Sequence, residues 1–379
     1  MTASWNSEFR LEDGLIYLNH AAVSPWPLCT TDAVRSFAKD NLLHGSQGYL
    51  KWLSVETQLR EQLRWLINAP SADDIALLKS TSEGLSVVAH GLEWKSGDNV
   101  VIPAHEFPSN RIVWESLAPM GVEVRQVDIA AAETPEAAIA ARIDGRTRLL
   151  SVSSVHYATG LRLNLEELGN VCRSSGVLFC VDAIQSLGAV PFDVQSAAAD
   201  FVVADGHKWM MGPEGVALFY TRPEAREHLT LRQFGWHMVE HCGDFDRDEW
   251  QPATSARRFE CGSPNMLGIH ALHASLSVLQ EVGIETVSRK VREHSIYLLE
   301  KIHKHSDTLQ PVTQGPEARL AGIVTFRHRT ADPAVLYAYL QERGVMCAQR
   351  GGGIRFSPHF YIQRRQLDTA VDLVLRFRA

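Results

Sequence analysis

The feature that most constrains the fold is an alternation of strand-like and helix-like segments between Ala76 and Tyr220. The strand-like runs are short and apolar, and the stretches between them have the length and polarity of helices. Strands are predicted at Asn99–Pro103, Val122–Asp128, Arg148–Val155 and Val177–Ala183, and helices at Pro108–Ala118, Thr134–Ala141 and Asn164–Ser175. This order predicts an α/β fold in which helices cover both faces of a mostly parallel sheet.

The same rhythm restarts near the C-terminus after a long helical region at Gly262–Gly283. Strands are predicted at Ala321–His328 and Gly353–Pro358, and helices at Asp332–Arg343 and Arg364–Phe377. We therefore predict a large domain over residues 16–260. Residues 1–15 and 261–379 would form a smaller α/β domain.

Composition excludes several classes of function. The chain has 379 residues and a net charge of -7, and no basic cluster that would favour nucleic acid or an anionic membrane as a partner. No apolar run is long enough to span a bilayer, and the first ten residues lack the apolar core of a signal peptide. The 6 cysteines form no CxxC pair and the 16 histidines no HExxH pattern, so we expect no metal and a cytoplasmic location.

Polar residues follow several predicted strands at their carboxyl ends. In open α/β sheets, ligands bind beyond these ends. In "KSTSEGL", Ser80, Thr81 and Ser82 precede a helix and either simply cap it or also hold a phosphate. Asp182 directly follows a buried strand, where it either caps the next helix or keeps a ring nitrogen protonated.

Two cationic residues stand in apolar surroundings. Lys208, in "VVADGHKWMMG", lies either in a surface turn or in a site that lowers its pKa and makes it able to form a Schiff base. Arg355, in "GGGIRFSPHFY", forms either a structural ion pair or a bidentate contact with a substrate carboxylate. A phosphate cradle, a ring-nitrogen partner, an amine and a carboxylate clamp are together what pyridoxal phosphate chemistry on an amino acid requires.

The residues of these motifs and their order in the chain resemble the class V aminotransferase family, which includes cysteine desulfurases, kynureninases and isopenicillin N epimerase-like proteins. The resemblance runs from "IYLNHAAVSPWP" (Ile16–Pro27) to "IRFSPHFY" (Ile354–Tyr361) and is strongest in "VDAIQSLGAVPFDV" and "ADFVVADGHKWMMGPEGVALFY". It implies the fold type I architecture of pyridoxal phosphate-dependent transferases, with a sheet of the seven-stranded type.

The resemblance also implies a role for individual residues. Lys208 would form the Schiff base with the cofactor, Asp182 would face the pyridine nitrogen, and Gln185 would lie near the 3′-oxygen. Phe107, in "EFPSN", would stack on the ring, and Arg355 would bind the substrate carboxylate. Phosphate contacts would come from Thr81, Ser82, His207 and, from the neighbouring subunit of a homodimer with shared active sites, Ser263.

The sequence departs from the desulfurase pattern at three positions. Desulfurases carry a nucleophilic cysteine on a loop well ahead of the clamp arginine, whereas Cys347 lies eight positions before Arg355 at the end of a predicted strand. A buried core thiol is the better interpretation. Tyr157 replaces an asparagine, as in kynureninases. Asp205 replaces a serine that touches phosphate, so we expect its side chain to turn away or to cap a turn, because a second anion would repel the phosphate.

The sequence therefore predicts a pyridoxal phosphate-dependent, aminotransferase-like enzyme that acts on a small amino acid through Lys208. The alternatives are a C–S or C–C lyase, an amino-acid epimerase, or a protein that binds the cofactor for a regulatory purpose. A Rossmann-type nucleotide binder is disfavoured because no GxGxxG follows a strand.

Overall fold

The computed structural model describes residues 5–129, 132 and 134–378. Helices α1–α11 span, in chain order, Leu28–His44, Tyr49–Ile67, Thr81–Gly91, Ser109–Glu115, Pro135–Ala140, Leu165–Ser175, Pro223–Arg226, Met266–Val282, Ile284–Lys304, Pro333–Glu342 and Arg364–Arg376. Strands β1–β13 span Ile16–Tyr17, Ile75–Leu78, Asn99–Pro103, Glu123–Val127, Thr147–Ser153, Leu178–Asp182, Phe201–Asp205, Ala217–Thr221, Leu309–Pro311, Val324–His328, Val345–Met346, Ala348–Arg350 and Gly353–Phe356.

A seven-stranded sheet in the order β2-β8-β7-β6-β5-β3-β4 forms the larger part of the chain. Strands β7, β6, β5, β3 and β4 are parallel to one another, and β8 runs antiparallel to both of its neighbours. This confirms the predicted α/β architecture. Because β5, β6 and β7 are parallel and adjacent, their last residues, Ser153, Asp182 and Asp205, lie along one edge of the sheet.

Both faces of this sheet are buried. Along β7, Val202 and Ala204 belong to one apolar cluster, whereas Phe201 and Val203 belong to the cluster on the other side. Successive side chains of a strand point to opposite faces, so a continuous apolar run requires helices on both sides. This is why the sequence of β7 shows no alternation of polar and apolar residues.

A smaller antiparallel sheet has the order β12-β13-β10-β9. The turn between β12 and β13 consists of Gly351 and Gly352, whose φ angles of 60° and 72° require glycine or a similarly permissive residue. The turn brings Arg350 opposite Gly353 and places Ala348 opposite Arg355. The N-terminal strand β1 pairs in parallel with β11.

The loop after β5 joins the two sheets. The Thr325 hydroxyl donates to the Ala158 carbonyl at 2.6 Å, and the Thr313 hydroxyl donates to the Thr159 carbonyl at 2.7 Å. At Gly160, with φ of 73°, a Cβ atom would lie 2.4 Å from the Ile323 carbonyl oxygen. The backbone of this loop is therefore pressed against the smaller sheet.

Most predicted segments occur within a few residues of their predicted bounds. The helix predicted at Gly262–Gly283 begins at Met266, and the strand predicted at Ala321–His328 begins at Val324. Helices α1, α2, α7 and α9 were not predicted. The division into domains at residue 260 stays a prediction. Within the described ranges, none of the helices combines the length and the hydropathy needed to cross a bilayer.

Gly169 in α6 offers a test of this packing. A Cβ atom there would lie 1.9 Å from the Ala197 carbonyl oxygen, a backbone atom that cannot give way easily. Alanine normally stabilises a helix by about 1 kcal/mol relative to glycine. We expect the reverse for Gly169→Ala, a loss of about 1–3 kcal/mol in the free energy of unfolding measured by urea denaturation. Gly145→Ala, where a Cβ meets nothing within 4 Å, is the control; equal stability of both variants would contradict this account.

Candidate active site

A cavity of about 310 Å³ opens at the carboxyl ends of β5, β6 and β7. It brings together all but one of the residues predicted from the sequence. The lining includes Ser80, Thr81, Ser82, Phe107, Asp182, Gln185, His207, Lys208 and Arg355, together with Tyr157, Asp205 and Arg350. Residues far apart in the sequence thus line one site.

Lys208 follows β7 in a tight turn whose backbone is closed by a hydrogen bond from Met211 N–H to the Lys208 carbonyl at 2.9 Å. The residue is buried, with 8% of its surface exposed. Burial lowers the pKa of Lys208 to about 8, although the Asp182 carboxylate partly offsets this effect. Its Nζ lies 5.5 Å from the centre of the Phe107 ring. At pH 7 about a tenth of this amine would therefore be uncharged and nucleophilic, far more than for a lysine with the ordinary pKa of 10.5.

Asp182 ends β6 and is also buried. Its two oxygens accept hydrogen bonds from Asn110 Nδ2 at 2.7 Å and from the Ile184 N–H at 2.9 Å. Burial nevertheless raises the pKa of Asp182 to about 6, and the nearby Glu106 carboxyl group adds to the rise. A cationic ring N–H placed against Asp182 would supply the positive partner that this carboxylate needs.

Glu106 and Asn110 form a supporting network that the sequence analysis did not identify. Glu106 accepts from the Ser153 N–H at 2.8 Å and from its hydroxyl at 2.5 Å, and burial raises the pKa of Glu106. Asn110 also lies 3.3 Å from the Ser153 hydroxyl. Both residues lie in or beside the "EFPSN" segment that was singled out for Phe107, which was the available signal.

Hydroxyl groups gather at the N-terminus of α3. Ser80 caps the helix by accepting from the Glu83 N–H at 3.2 Å, and the Ser82 hydroxyl lies 2.8 Å from that of Ser109. The Thr81 hydroxyl accepts from the Asp205 N–H at 3.0 Å and keeps its own proton free to donate. Together with the positive end of the helix dipole, these groups suit a phosphate.

The sequence analysis expected the Asp205 side chain to turn away from the phosphate or to cap a turn, but the structure places this residue in the lining of the cavity. It is buried and lines the cavity, with a carboxylate oxygen 2.9 Å from His207 Nδ1. Neither of these two atoms has a partner with hydrogen-bond geometry among the described residues.

Gln185 and Phe107 frame the middle of the cavity. Gln185 Nε2 donates to the Ala21 carbonyl at 3.0 Å, and its Oε1 accepts from Trp209 Nε1 at 2.9 Å. These bonds fix the orientation of the amide. The Phe107 ring packs edge-on against Tyr157, with 5.4 Å between ring centres.

Arg355 reaches the cavity from β13 of the smaller sheet, where only 2% of its surface is exposed. Its Nη1 donates to the Tyr157 carbonyl at 2.8 Å, and its Nη2 lies 3.5 Å from Asn19 Oδ1. The buried Nε has no partner, and no carboxylate lies within 4 Å of the guanidinium among the described residues. Burial lowers the pKa of Arg355 to about 10, and the positive charge of Arg350 adds to the effect.

Two further residues lie outside the cavity. Ser263 is exposed and lines a separate depression with Lys79, Gly215 and Asn265. Cys347 lies between β11 and β12 in the core of the smaller sheet, with 1% of its surface exposed. Burial raises the pKa of the Cys347 thiol to about 12, so the nucleophilic thiolate is disfavoured.

A second group of buried polar side chains consists of Glu56, His237 and Glu260, whose oxygen and nitrogen atoms lie within 4.8 Å of one another. Arg60 donates to Glu56 at 2.6 Å and to both oxygens of Glu260 at 2.6 and 2.8 Å. The carboxylates therefore already have a cationic partner. This arrangement is an ion-pair network rather than an open set of metal ligands.

The cavity fits pyridoxal phosphate by the chemistry of its side chains. A buried carboxylate, Asp182, and a buried amine, Lys208, lie near each other in its lining. Hydroxyls and a helix N-terminus suit the phosphate, Asp182 suits the ring nitrogen, and Lys208 suits the aldehyde.

The lowered pKa of Lys208 can be measured directly. In the cofactor-free chain we expect the rate of reductive methylation of Lys208, followed by peptide mass spectrometry, to reach half its maximum near pH 8, because burial disfavours the ammonium form. Asp182→Asn should move this midpoint to lower pH, because the variant loses a negative charge that stabilises the ammonium. Asp307→Asn, at an exposed position, is the matched control. A midpoint near 10.5, the ordinary value, would show that the amine is solvated.

Comparison with known proteins agrees with the fold. A probable cysteine desulfurase of Methanothermobacter thermautotrophicus is 30% identical over 370 residues, which cover 91% of this chain and 90% of that protein. A probable cysteine desulfurase of Pyrococcus abyssi is 28% identical and covers 96% of this chain and 94% of its own length.

Solved structures share the fold at lower identity. The apo cysteine desulfurase from Thermococcus onnurineus NA1 superimposes with a TM-score of 0.88 at 23% identity, covering 98% of this chain and 97% of its own. The cystine C–S lyase C-DES, in complex with cysteine persulfide, gives a TM-score of 0.89 at 22% identity, covering 97% of this chain and 99% of its own.

Residues 16–369 match the description of the aminotransferase class V family. The chain therefore belongs to the class V aminotransferase family and is a pyridoxal phosphate-dependent enzyme.

Proposed function

We propose that this enzyme binds a small α-amino acid by its carboxylate and moves the proton on the α-carbon. The observation that carries this proposal is the position of Arg355. A buried guanidinium without a carboxylate partner in the described part of the chain faces the cavity that also contains the buried amine of Lys208. An isolated buried charge is costly, and the carboxylate of a substrate would compensate it with two hydrogen bonds.

The side chains divide the work by position. Thr81, Ser82 and His207 would hold the phosphate of pyridoxal phosphate, and Asp182 would keep its ring nitrogen protonated. Phe107 would cover the ring, while Gln185 would lie near the 3′-oxygen. When bound, the cofactor acts as an electron sink for the bond that breaks at the α-carbon.

Lys208 would serve as general base and acid. With a pKa of about 8, its Nζ can take a proton at neutral pH and return it, because neither protonation state is strongly disfavoured. Arg355 would fix the α-carboxylate and so decide which substituent of the α-carbon points at Nζ. Accurate positioning of this kind supplies a large part of the rate enhancement in enzymes.

We propose an aminotransferase-like reaction as the first candidate and cleavage of a β-carbon to sulfur bond as the second. The names of the relatives, cysteine desulfurases and a cystine C–S lyase, favour the second candidate. Transfer of sulfur through an enzyme persulfide is disfavoured, because none of the cysteines lines the cavity in the described ranges and Cys347 is buried.

We further propose a homodimer with shared active sites, located in the cytoplasm. Ser263, the residue expected to reach a neighbouring phosphate, is exposed and lies outside its own subunit's cavity. The segment after β8 carries exposed aromatic side chains, namely Phe234, Trp236, Phe245 and Trp250, which favour an interface. The free cysteines favour a reducing compartment.

The role of Arg355 can be tested by comparing an amino acid with the amine that lacks its carboxylate, for example alanine with ethylamine. For Arg355→Ala, the rate constant at which the amino acid changes the cofactor absorbance should fall about 10- to 100-fold more than that of the amine, because a charge-assisted contact is lost. Arg355→Lys should recover part of the loss. Circular dichroism verifies folding, and equal losses for both compounds would count against a carboxylate clamp.

The reaction type follows from adding amino acids one at a time, without an acceptor, while recording the visible spectrum and the products. Conversion to a stable pyridoxamine form indicates transamination; a recovering spectrum with pyruvate and sulfide or persulfide indicates the lyase. In either case Cys347→Ser should keep turnover within about 2-fold of the unmodified enzyme, because a buried thiol with a pKa of about 12 takes no part. Complete loss of turnover in a folded Cys347→Ser enzyme would restore the persulfide route.

A further inference from the structure

Arg350 is a second arginine in the active-site cavity, and neither the sequence motifs nor the proposed chemistry gives it a role. It ends β12 and lines the same cavity as Lys208 and Arg355. Ala348 lies opposite Arg355 in the antiparallel pair, and Arg350 is two residues further along the same strand. Because side chains alternate along a strand, Arg350 and Arg355 are diagonal neighbours on one face, roughly 7–8 Å apart.

The turn that follows fixes this placement. Gly351 and Gly352, both with positive φ, reverse the chain within two residues and set the register of the hairpin. A shift of one residue would move Arg350 to the other face of the sheet. The position of the second arginine is therefore specified by the same turn that positions the first.

The charge of Arg350 is not neutralised by its surroundings. In the described ranges no carboxylate lies within 4 Å of its guanidinium, which donates to the Gln349 carbonyl at 2.8 Å. The groups that act on the pKa of Arg355 are Arg350, Tyr157 and Cys347, in addition to burial, and no carboxylate is among them. The carboxylates of the cavity, Asp182 and Asp205, instead act on Lys208.

Two cations on one face of a hairpin repel each other, and one carboxylate bound at Arg355 compensates only one of them. We propose that Arg350 binds a second acidic group, carried by the side chain of the substrate, so that the preferred substrate is an amino acid with an acidic side chain. This inference rests on the proposed function, in which Arg355 holds the α-carboxylate.

The surroundings of the two arginines differ, and this difference suits them to different roles. Arg355 is buried, and two polar groups of the protein hold its planar fork, so it suits a group that is common to all amino acids. Arg350 is exposed and held by one carbonyl, so its guanidinium is free to adjust to the length of a side chain. Specificity for the acidic group would therefore reside in Arg350.

Binding without reaction gives the first test. Calorimetry on the cofactor-loaded enzyme would compare succinate with butyrate, which differ by one carboxylate and lack an amino group. We expect succinate to bind at least about 10-fold more tightly, because it engages a second charge. R350Q should abolish this difference, R350K should retain part of it, and R329Q, which removes an exposed arginine of the same domain outside the cavity, should leave it unchanged.

Turnover gives the second test. In R350Q, kcat/KM for aspartate and glutamate should fall about 10- to 100-fold relative to kcat/KM for asparagine and glutamine, whereas R355Q should lower the values for all four. Equal binding of succinate and butyrate by the unmodified enzyme would overturn the inference. This is the result expected if a carboxylate of the partner subunit neutralises Arg350. A uniform loss in R350Q would also overturn it by assigning Arg350 to the α-carboxylate.

Failure of the proposed function has a different signature. If no amino acid altered the cofactor spectrum, the proposed function would fail, yet the preference for succinate and its loss in R350Q would still report on the second anion site.

Discussion

The carboxylate of Asp182 is buried at the end of β6, and the arrangement of the site follows from the partners that a buried carboxylate requires. Asn110 and the Ile184 N–H satisfy its two oxygens, and Asn110 also donates to the hydroxyl of Ser153, which Glu106 holds in place. The buried carboxylate in turn offsets part of the effect of burial on Lys208. A protonated ring between these groups would complete the charge pattern, which is the arrangement that pyridoxal phosphate requires.

The sequence predicted the layers of the fold because periodicity reports burial. Strand β3 was predicted at its observed bounds, since an uninterrupted apolar run leaves little choice about where it ends. Helices α1 and α2 were missed because many of their positions are polar and their apolar faces become clear only when α8 is packed against them. Local pattern contains little information about such long-range packing.

The sequence predicted the cavity residues that lie at or opposite the end of a strand. Lys208, Asp182 and Thr81 follow or face such ends, and the structure places them in one cavity. Asp205 was misjudged because repulsion from a phosphate was weighed without His207, whose ring nitrogen lies beside the carboxylate. Arg350 was missed because only the register of the β12–β13 hairpin reveals that it shares a face with Arg355.

The proposed substrate clamp, Arg355, is on the smaller sheet, whereas Lys208 and Asp182, the residues proposed to face the cofactor, follow or end strands of the larger one. The loop after β5 links the two through hydrogen bonds from Thr313 and Thr325 and through the close approach of Gly160 to Ile323. Arg355 adds its own bond to the carbonyl of Tyr157 in this loop. The spacing between the proposed clamp and the proposed base is thus fixed by contacts within the protein, so these two residues would favour substrates whose carboxylate and amino group share one carbon over those in which an extra carbon separates them.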